Sequence, residues 1–355
     1  MTSINAIRFN HYSGACVCDE SISTSGDMKM FVGDKIRPCI PKVIIENYGI
    51  VGAIGTTGSC ALGDEIKHTF YHKMLDIYEK EIEKIGKKPD KFKTLEEMND
   101  VLFNLVINIK NKLLNNHVKG LYGFSMEDLT RGYYEKDGTK IEIKDKDTIK
   151  EIIDIMLFKN TPHEHEYIFN NAGLFAGYDD VNGFQIYHFD LRDAYWHLVQ
   201  ACYLAEGSGR HSVDPRMYGF VENLTIEEKR TEIDPVFGII SMVSALNSAS
   251  DHEIGVGGYF NITLIDGKKE FNKRFMEIND DRSHLVAHIV RALDNDFISY
   301  DNTYILINSV LFKEEDFDKV YNDFWQVVKR PEELCRHFRG YKSSVYSSKS
   351  GTRGT

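Results

Sequence analysis

The stretch Thr2-Ser-Ile-Asn-Ala-Ile-Arg-Phe-Asn-His-Tyr-Ser-Gly-Ala-Cys-Val-Cys-Asp19 decides how the rest of the chain is read. Two short apolar runs, Ile4 to Phe9 and Ala15 to Cys18, flank the turn-rich His11-Tyr-Ser-Gly14, a pattern that predicts a β-hairpin. A second pair follows, Val43 to Ile45 and Ile50 to Ile54, with Glu46-Asn-Tyr-Gly49 between them as a turn. These runs are nearly continuous rather than alternating, which predicts strands covered on both faces.

Working outward, Asp64 stands where it can cap a helix carrying Ile66, Phe70, Met74, Leu75 and Ile77 at helical spacing. Gly86-Lys-Lys-Pro89 ends it, and Leu95 to Val118 predicts a second helix. Residues 119–165 read as a surface insertion: Asp137-Gly138 fits a two-residue hairpin turn, and the charged stretch Lys144 to Lys150 follows. Strand character returns at Tyr167 to Phe169 and over Gly173 to Phe189, with Asp180-Val-Asn-Gly183 as the turn. Leu198 to Leu204 reads as a further run, ending at Glu206-Gly-Ser-Gly209. Thr225 and Glu228 have the spacing of a capping box. Further helices are expected around Val236 to Leu246, Ser283 to Leu293 and Glu314 to Val328, with a glycine-led strand at 255–265 and a frayed Ser/Gly/Lys-rich tail at 341–355. This order suits an α/β or α+β chain with helices layered outside two sheets.

Composition narrows the function classes. The 355 residues carry 43 basic and 54 acidic side chains, net −11, so a general nucleic-acid coat is excluded by repulsion from the polyanion. The 42% hydrophobic content supports a packed core. No run approaches the roughly 20 apolar residues of a membrane span. The first twenty residues lack the basic flank and apolar core of a signal peptide. A cytoplasmic protein without nucleic-acid or membrane partners is expected. The six scattered cysteines, Cys16, Cys18, Cys39, Cys60, Cys202 and Cys335, read as reduced thiols.

Met1-Thr2 is a context in which aminopeptidases remove the methionine. Thr2 would then carry a hydroxyl and a free α-amine on one residue. The hydroxyl is a weak nucleophile, but the adjacent amine, with a reference pKa of about 7.7–8.0, can take its proton. The threonine-led strand, its hairpin, Asp19, Asp34-Lys35-Ile36 and the apolar run to Gly55 together resemble the opening of proteasome β-type subunits and their bacterial relatives, HslV and the Anbu family. Leu174-Phe-Ala-Gly-Tyr-Asp179 through Asp190, Gly207-Ser208-Gly209, and Val243 through Gly257-Gly258 are similar to that family's later motifs, in the same order.

That resemblance implies a four-layer αββα N-terminal-nucleophile hydrolase sandwich over residues 1–267, interrupted by the insertion, with a C-terminal extension at 268–340. It implies that Thr2 attacks a peptide carbonyl, that Lys35 favours proton loss from the hydroxyl, and that Asp19 holds Lys35. The Gly55 N–H would donate to the oxyanion, Ser208 would bind the Thr2 amine, and an acid at 251–253 would support it. Two positions stay open: Lys42 competes with Lys35 by its distance from Gly55, and either Asp251 or Glu253 can be the late acid. The family's serine before the paired glycines is missing here. The chain therefore reads as a threonine peptidase, as a transpeptidase or amide ligase resolving the same acyl-enzyme with an amine, or as an inactive scaffold. A peptide or protein substrate, a homo-oligomer and an unfoldase or ring partner are the implied partners. No cofactor or metal is expected: His68/His72 and His284/His288 share helix faces but lack a third ligand, and His163-Glu-His-Glu166 reads as a solvated loop. Gly52-Ala-Ile-Gly-Thr-Thr-Gly58 lacks the Lys-Ser/Thr of a phosphate cradle.

Overall fold

The computed structural model describes residues 2–24, 28–31, 35–156, 171–191, 195–226, 228, 232–253, 256–257 and 260–338. Met1, the strand expected at 167–169, the loop at 163–166, the end of the insertion and the tail at 341–355 lie outside them.

The opening hairpin forms as its sequence dictates: β1 (Ile4–Arg8) pairs antiparallel with β2 (Ser13–Asp19), with Ile4 opposite Cys18 and Arg8 opposite Gly14. Asn10 closes the turn by accepting from the N–H groups of Tyr12 and Ser13. A short hairpin, β3 (Ser21–Thr24) and β4 (Met28–Phe31), follows. Then β5 (Ile36–Pro38) pairs with β6 (Val51–Thr56).

The segment between β5 and β6 corrects the sequence reading. Val43 to Ile45 is not a strand but part of α1 (Lys42–Tyr48), which ends on Gly49 at φ 64°. Three β-branched residues in a row favour a strand locally. Pro41, standing just ahead of the helix, and a left-handed glycine at its end override them.

Long helices come next. α2 (Cys60–Ile85) is capped by Ser59, whose Oγ accepts from the Leu62 N–H; Asp64, the expected cap, lies inside the helix. α3 (Leu95–Tyr122) starts with a full capping box of Thr94 and Glu97. The insertion holds α4 (Met126–Arg131), the hairpin of β7 (Tyr133–Lys136) and β8 (Thr139–Glu142), and α5 (Lys146–Met156). Asp137 and Gly138 both take positive φ, as the Asp-Gly turn requires.

β9 (Ala172–Asp179) and β10 (Gly183–Asp190) form the central hairpin, and β11 (Tyr195–Leu198) pairs with β10. The apolar run at 198–204 is not one strand. It carries the chain from β11 in one sheet to β12 (Tyr203–Glu206), which pairs with β1 in the other. α6 (Arg210–Asn223) follows, a helix the sequence reading missed because Pro215 and Gly219 interrupt it. Its buried stripe, Val213, Met217 and Phe220, was nonetheless at helical spacing. The Thr225/Glu228 capping box forms, and α7 (Pro235–His252) leads to β13 (Phe260–Asp266). β14 (Phe275–Ile278), α8 (Asp281–Asp294), α9 (Tyr300–Ile307), a π-helical turn at 308–312, α10 (Phe317–Val327) and α11 (Pro331–His337) complete the described chain.

The strands make two five-stranded antiparallel sheets, ordered β12-β1-β2-β13-β14 and β11-β10-β9-β6-β5. Ile4, Ala6, Cys16 and Cys18 from the first sheet pack with Val51, Ala53, Leu174, Ala176 and Ile186 from the second. The opposite face of the first sheet (Ile7, Ala15, Val17, Ile262) packs on α6, α7 and the C-terminal helices. That of the second (Ile54, Phe175, Tyr187, Phe189) packs on α2 and α3. This double coverage is why these strands read as unbroken apolar runs. Among the described residues no helix is long and apolar enough to cross a membrane.

Candidate active site

The site assembles where β1 begins, because register brings four separate segments to that end of the paired sheets. Ile4 opposes Cys18 on one side and Glu206 on the other, so Thr2 and Ser3 lie beside Asp19 and the Gly207–Gly209 turn. Phe260 opposes Asp19, and the Gly257 N–H reaches the Asp19 carboxylate. Ile36 opposes Gly55, which brings Lys35 to the same end of the second sheet.

Asp19 is the hub. Its side chain is fully buried, and its Oδ1 accepts from Lys35 Nζ at 2.7 Å and from the Ser3 N–H at 2.7 Å. Its Oδ2 accepts from the Gly257 N–H at 3.2 Å. Burial pushes the carboxyl above its ordinary pKa, opposed by the Lys35 ammonium and these N–H donors. Lys35 is 7% exposed, so the two charges are held against each other out of water. Lys42, by contrast, stands on the outer face of α1 with its side chain 84% exposed, paired with Glu46 at 3.5 Å. Of the two lysines, Lys35 is therefore the one that meets Asp19.

The Thr2 nitrogen donates to Ser208 Oγ at 3.1 Å, and Ser208 Oγ lies 3.4 Å from the Thr2 carbonyl oxygen, to which it can donate. The Gly209 N–H also donates to that carbonyl, at 3.3 Å. Gly207, at φ 96°, is required twice: its backbone is left-handed, and a Cβ would collide with the Thr2 carbonyl. At Gly55 a Cβ would meet Ile36 Cγ1 at 2.9 Å and Ile4 Cδ1 at 3.1 Å, so glycine gives these two side chains room over β6. The structure thus brings Thr2, Asp19, Lys35, Gly55 and Ser208 to one end of the sheets.

The late acids are placed differently. Asp251 lies in the last turn of α7, where its carboxylate accepts from Arg291 Nη1 at 3.0 and 3.1 Å. Glu253 caps α7, and its carbonyl accepts from the Val256 N–H at 3.1 Å. Val256, where the family serine was expected, is fully buried.

Two neighbours escaped the sequence reading. Ser3 and Asn5 are both fully buried, and Asn5 Nδ2 donates to Ser3 Oγ at 3.1 Å and to the Val17 carbonyl at 3.2 Å, pinning the strand that carries Thr2. Their signal was two polar residues in an apolar strand. Lys67 is also buried, on the same α2 face as Ile66, Phe70 and Met74; a lysine within that stripe was its signal. The thiols of Cys16, Cys18 and Cys39 are buried and unbridged, with burial raising each pKa. His68 and His72 are exposed with their Nε2 atoms 3.1 Å apart, and no cluster of three metal-ligating side chains occurs among the described residues.

No family model matches the chain, and no curated protein matches it. Among solved structures it is similar to Anbu (ancestral beta-subunit) from Yersinia bercovieri, with a TM-score of 0.51 and 11% identity. The match covers 83% of this chain and 94% of that one. At that identity the likeness is one of fold, and the fold is proteasome-like.

Proposed function

We propose that this chain is an N-terminal threonine amidohydrolase, a peptidase working through an ester on Thr2 once Met1 is removed. The observation that carries the reading is the Asp19 carboxylate. It binds Lys35 Nζ and the N–H of Ser3, the residue after Thr2, at the same oxygen. The proteasome-like fold and the resemblance of the opening strand support it. The stacking of helices, two sheets and helices supports the finer assignment as an αββα N-terminal-nucleophile sandwich. On this reading the insertion and the segment after 268 are additions to that core.

In this mechanism the Thr2 α-amine takes the hydroxyl proton as Oγ attacks the substrate carbonyl carbon. Lys35, held charged by Asp19, stabilises the oxygen as it loses that proton. The Gly55 N–H donates to the carbonyl oxygen as it gains charge. The protonated amine then gives its proton to the leaving nitrogen, the C–N bond breaks, and an ester remains on Thr2. Water, deprotonated by the same amine, attacks the ester and restores Thr2 with release of an acid. Ser208 keeps the amine oriented throughout. The word "subunit" in the structural neighbour's name supports a homo-oligomer, and an unfoldase or ring partner and a cytoplasmic location go with that reading.

Intact-mass analysis should show a chain lacking Met1. A threonine-directed electrophilic peptide should then add once to the wild type and not to Thr2→Ala. Retention of Met1, or equal labelling of both proteins, overturns the reading in favour of a catalytically inactive scaffold.

A further inference from the structure

At the end of the sheets opposite Thr2, a cleft of about 440 Å³ opens between the β1–β2 turn, the start of β10, the β11–β12 connection and the α6–α7 connection. Its volume is that of a small-molecule site. Arg8, on its wall, stands six residues along the strand from Thr2, about 20 Å at the rise of an extended chain. Nothing in the mechanism above uses this cleft. Its four segments are tied by backbone hydrogen bonds of 2.7 Å: Arg8 N–H to the Cys202 carbonyl, Ile233 N–H to the Phe9 carbonyl, and Phe184 N–H to the His11 carbonyl. The cleft is therefore preformed, and a ligand entering it would not have to order its walls.

The lining is divided by chemistry. Phe9, Phe184 and Ile233, each no more than 3% exposed, give it an apolar base. Among the described residues the Arg8 guanidinium donates one hydrogen bond, to the Gln200 carbonyl at 3.1 Å, and forms no ion pair. Glu228 and Glu232 bring two carboxylates from the α6–α7 connection. The Glu228 carboxylate accepts from the Thr225 N–H at 2.7 Å, and neither glutamate reaches Arg8 within ion-pair distance. One cation and two anions thus border a single apolar cleft without neutralising each other. An anion entering it would gain Arg8 and be repelled by the glutamates, and a cation would meet the reverse. An uncharged apolar ligand would leave all three charges unanswered. A ligand carrying both signs answers them together.

We propose that this cleft binds a short zwitterion, a free amino acid or dipeptide with an apolar side chain. Its carboxylate docks on the Arg8 guanidinium, whose planar fork of donors fits a carboxylate with two parallel hydrogen bonds. Its ammonium faces Glu228 and Glu232, and its side chain lies on Phe9, Phe184 and Ile233. On the peptidase reading such zwitterions are small products of the reaction, but the proposal stands on the cleft and does not rest on that reading.

The test is calorimetric titration of the full chain with phenylalanine and with leucyl-phenylalanine. At least one should bind saturably with a Kd below about 1 mM, and the tighter of the two shows whether the cleft takes an amino acid or a dipeptide. The amide of that probe, which lacks the carboxylate, and its N-acetyl form, which lacks the ammonium, should each bind about tenfold more weakly. Arg8→Gln should weaken the parent probe by a similar factor and leave the amide unchanged. Glu228→Gln combined with Glu232→Gln should weaken the parent and leave the N-acetyl form unchanged. Glutamine keeps the capping acceptor at 228, so these variants should fold, which thermal unfolding checks. Thr2→Ala should bind the probe as the wild type does, because the cleft is at the far end of the strand. Absence of saturable binding by both probes overturns the proposal. So does a preference for the zwitterion that survives Arg8→Gln and the double glutamate change, or binding that is lost in Thr2→Ala. Failure of covalent labelling at Thr2 with zwitterion binding intact would sink the threonine reading and leave this site standing.

Discussion

Each end of the paired sheets carries a buried cation that crosses from one sheet to the other, and the two are used in opposite ways. At the end where the β1–β2 and β9–β10 turns lie, Arg274, just ahead of β14 in the first sheet, donates to the carbonyl of Gly49, between α1 and β6 of the second, at 2.7 Å and to the Lys269 carbonyl at 3.2 Å. It also pairs with Asp180 at 3.1 Å and stacks on Tyr178 and Phe271. A backbone bond from the Phe184 N–H to the His11 carbonyl, 2.7 Å, ties the same end. At the other end Lys35 of the second sheet reaches Asp19 of the first. The guanidinium spreads its rigid fork of donors over fixed acceptors and becomes a clasp. The ammonium is a compact charge that, among the described residues, is hydrogen-bonded to one carboxylate. Arg274, saturated by the fold, holds the fold; Lys35 is, on the proposed reading, the cation available for chemistry.

The comparison breaks most sharply at the Thr2 end. Asp19→Asn should lower the rate of covalent labelling at Thr2 by about 10³-fold or more, because Lys35 loses the charge that orients it. Labelling at the wild-type rate would mean that the pair is only structural. At the clasped end, Arg274→Ala should cost about 3 kcal/mol in a denaturant titration, since it leaves the Gly49 and Lys269 carbonyls without their donor. Labelling per folded molecule should stay as in the wild type; a parallel loss would show that the two ends are coupled.

A smaller effect comes from outside both ends. His284 on α8 is 8% exposed, and burial lowers its pKa to about 4. The unfolded chain, with an ordinary histidine near 6.5, therefore binds a proton more readily than the folded one. The stability this histidine contributes is full above pH 6.5 and is lost as pH falls toward 4. Between pH 7.5 and 5 its loss should be about 2 kcal/mol, and His284→Gln should remove that part of the change, leaving the part due to His288, whose pKa burial lowers to about 3. The smallest expected effect is that of Ser208→Ala, about tenfold in labelling rate, because it removes one hydrogen bond to the Thr2 nitrogen and leaves the Asp19–Lys35 pair in place.

Some of this was legible without coordinates because it is local. The β1–β2 hairpin follows from two apolar runs around Asn10 to Gly14, and the sixteen-residue spacing from Asp19 to Lys35 stood out beside a threonine-led strand. The Thr225/Glu228 capping box and the Asp137-Gly138 turn are likewise written in neighbouring residues. The α1 helix was not, because the preference of Val43-Ile-Ile45 for strand is set aside by the residues at its ends.

The sequence by itself determined that this is an acidic α+β chain whose strands are covered on both faces, and it singled out Thr2, Asp19, Gly55 and Ser208. Only the tertiary structure separated the two lysines by their surroundings and placed Asp251 and Glu253. Lys35 and Lys42 are equivalent as letters, but one is buried on Asp19 and the other points into water. Asp251 turns to Arg291, forty residues away, a partner no local pattern announces. Charge pairing in a folded chain depends on which side chains lose their water together, and that is settled by sheet register and helix packing rather than by spacing along the chain.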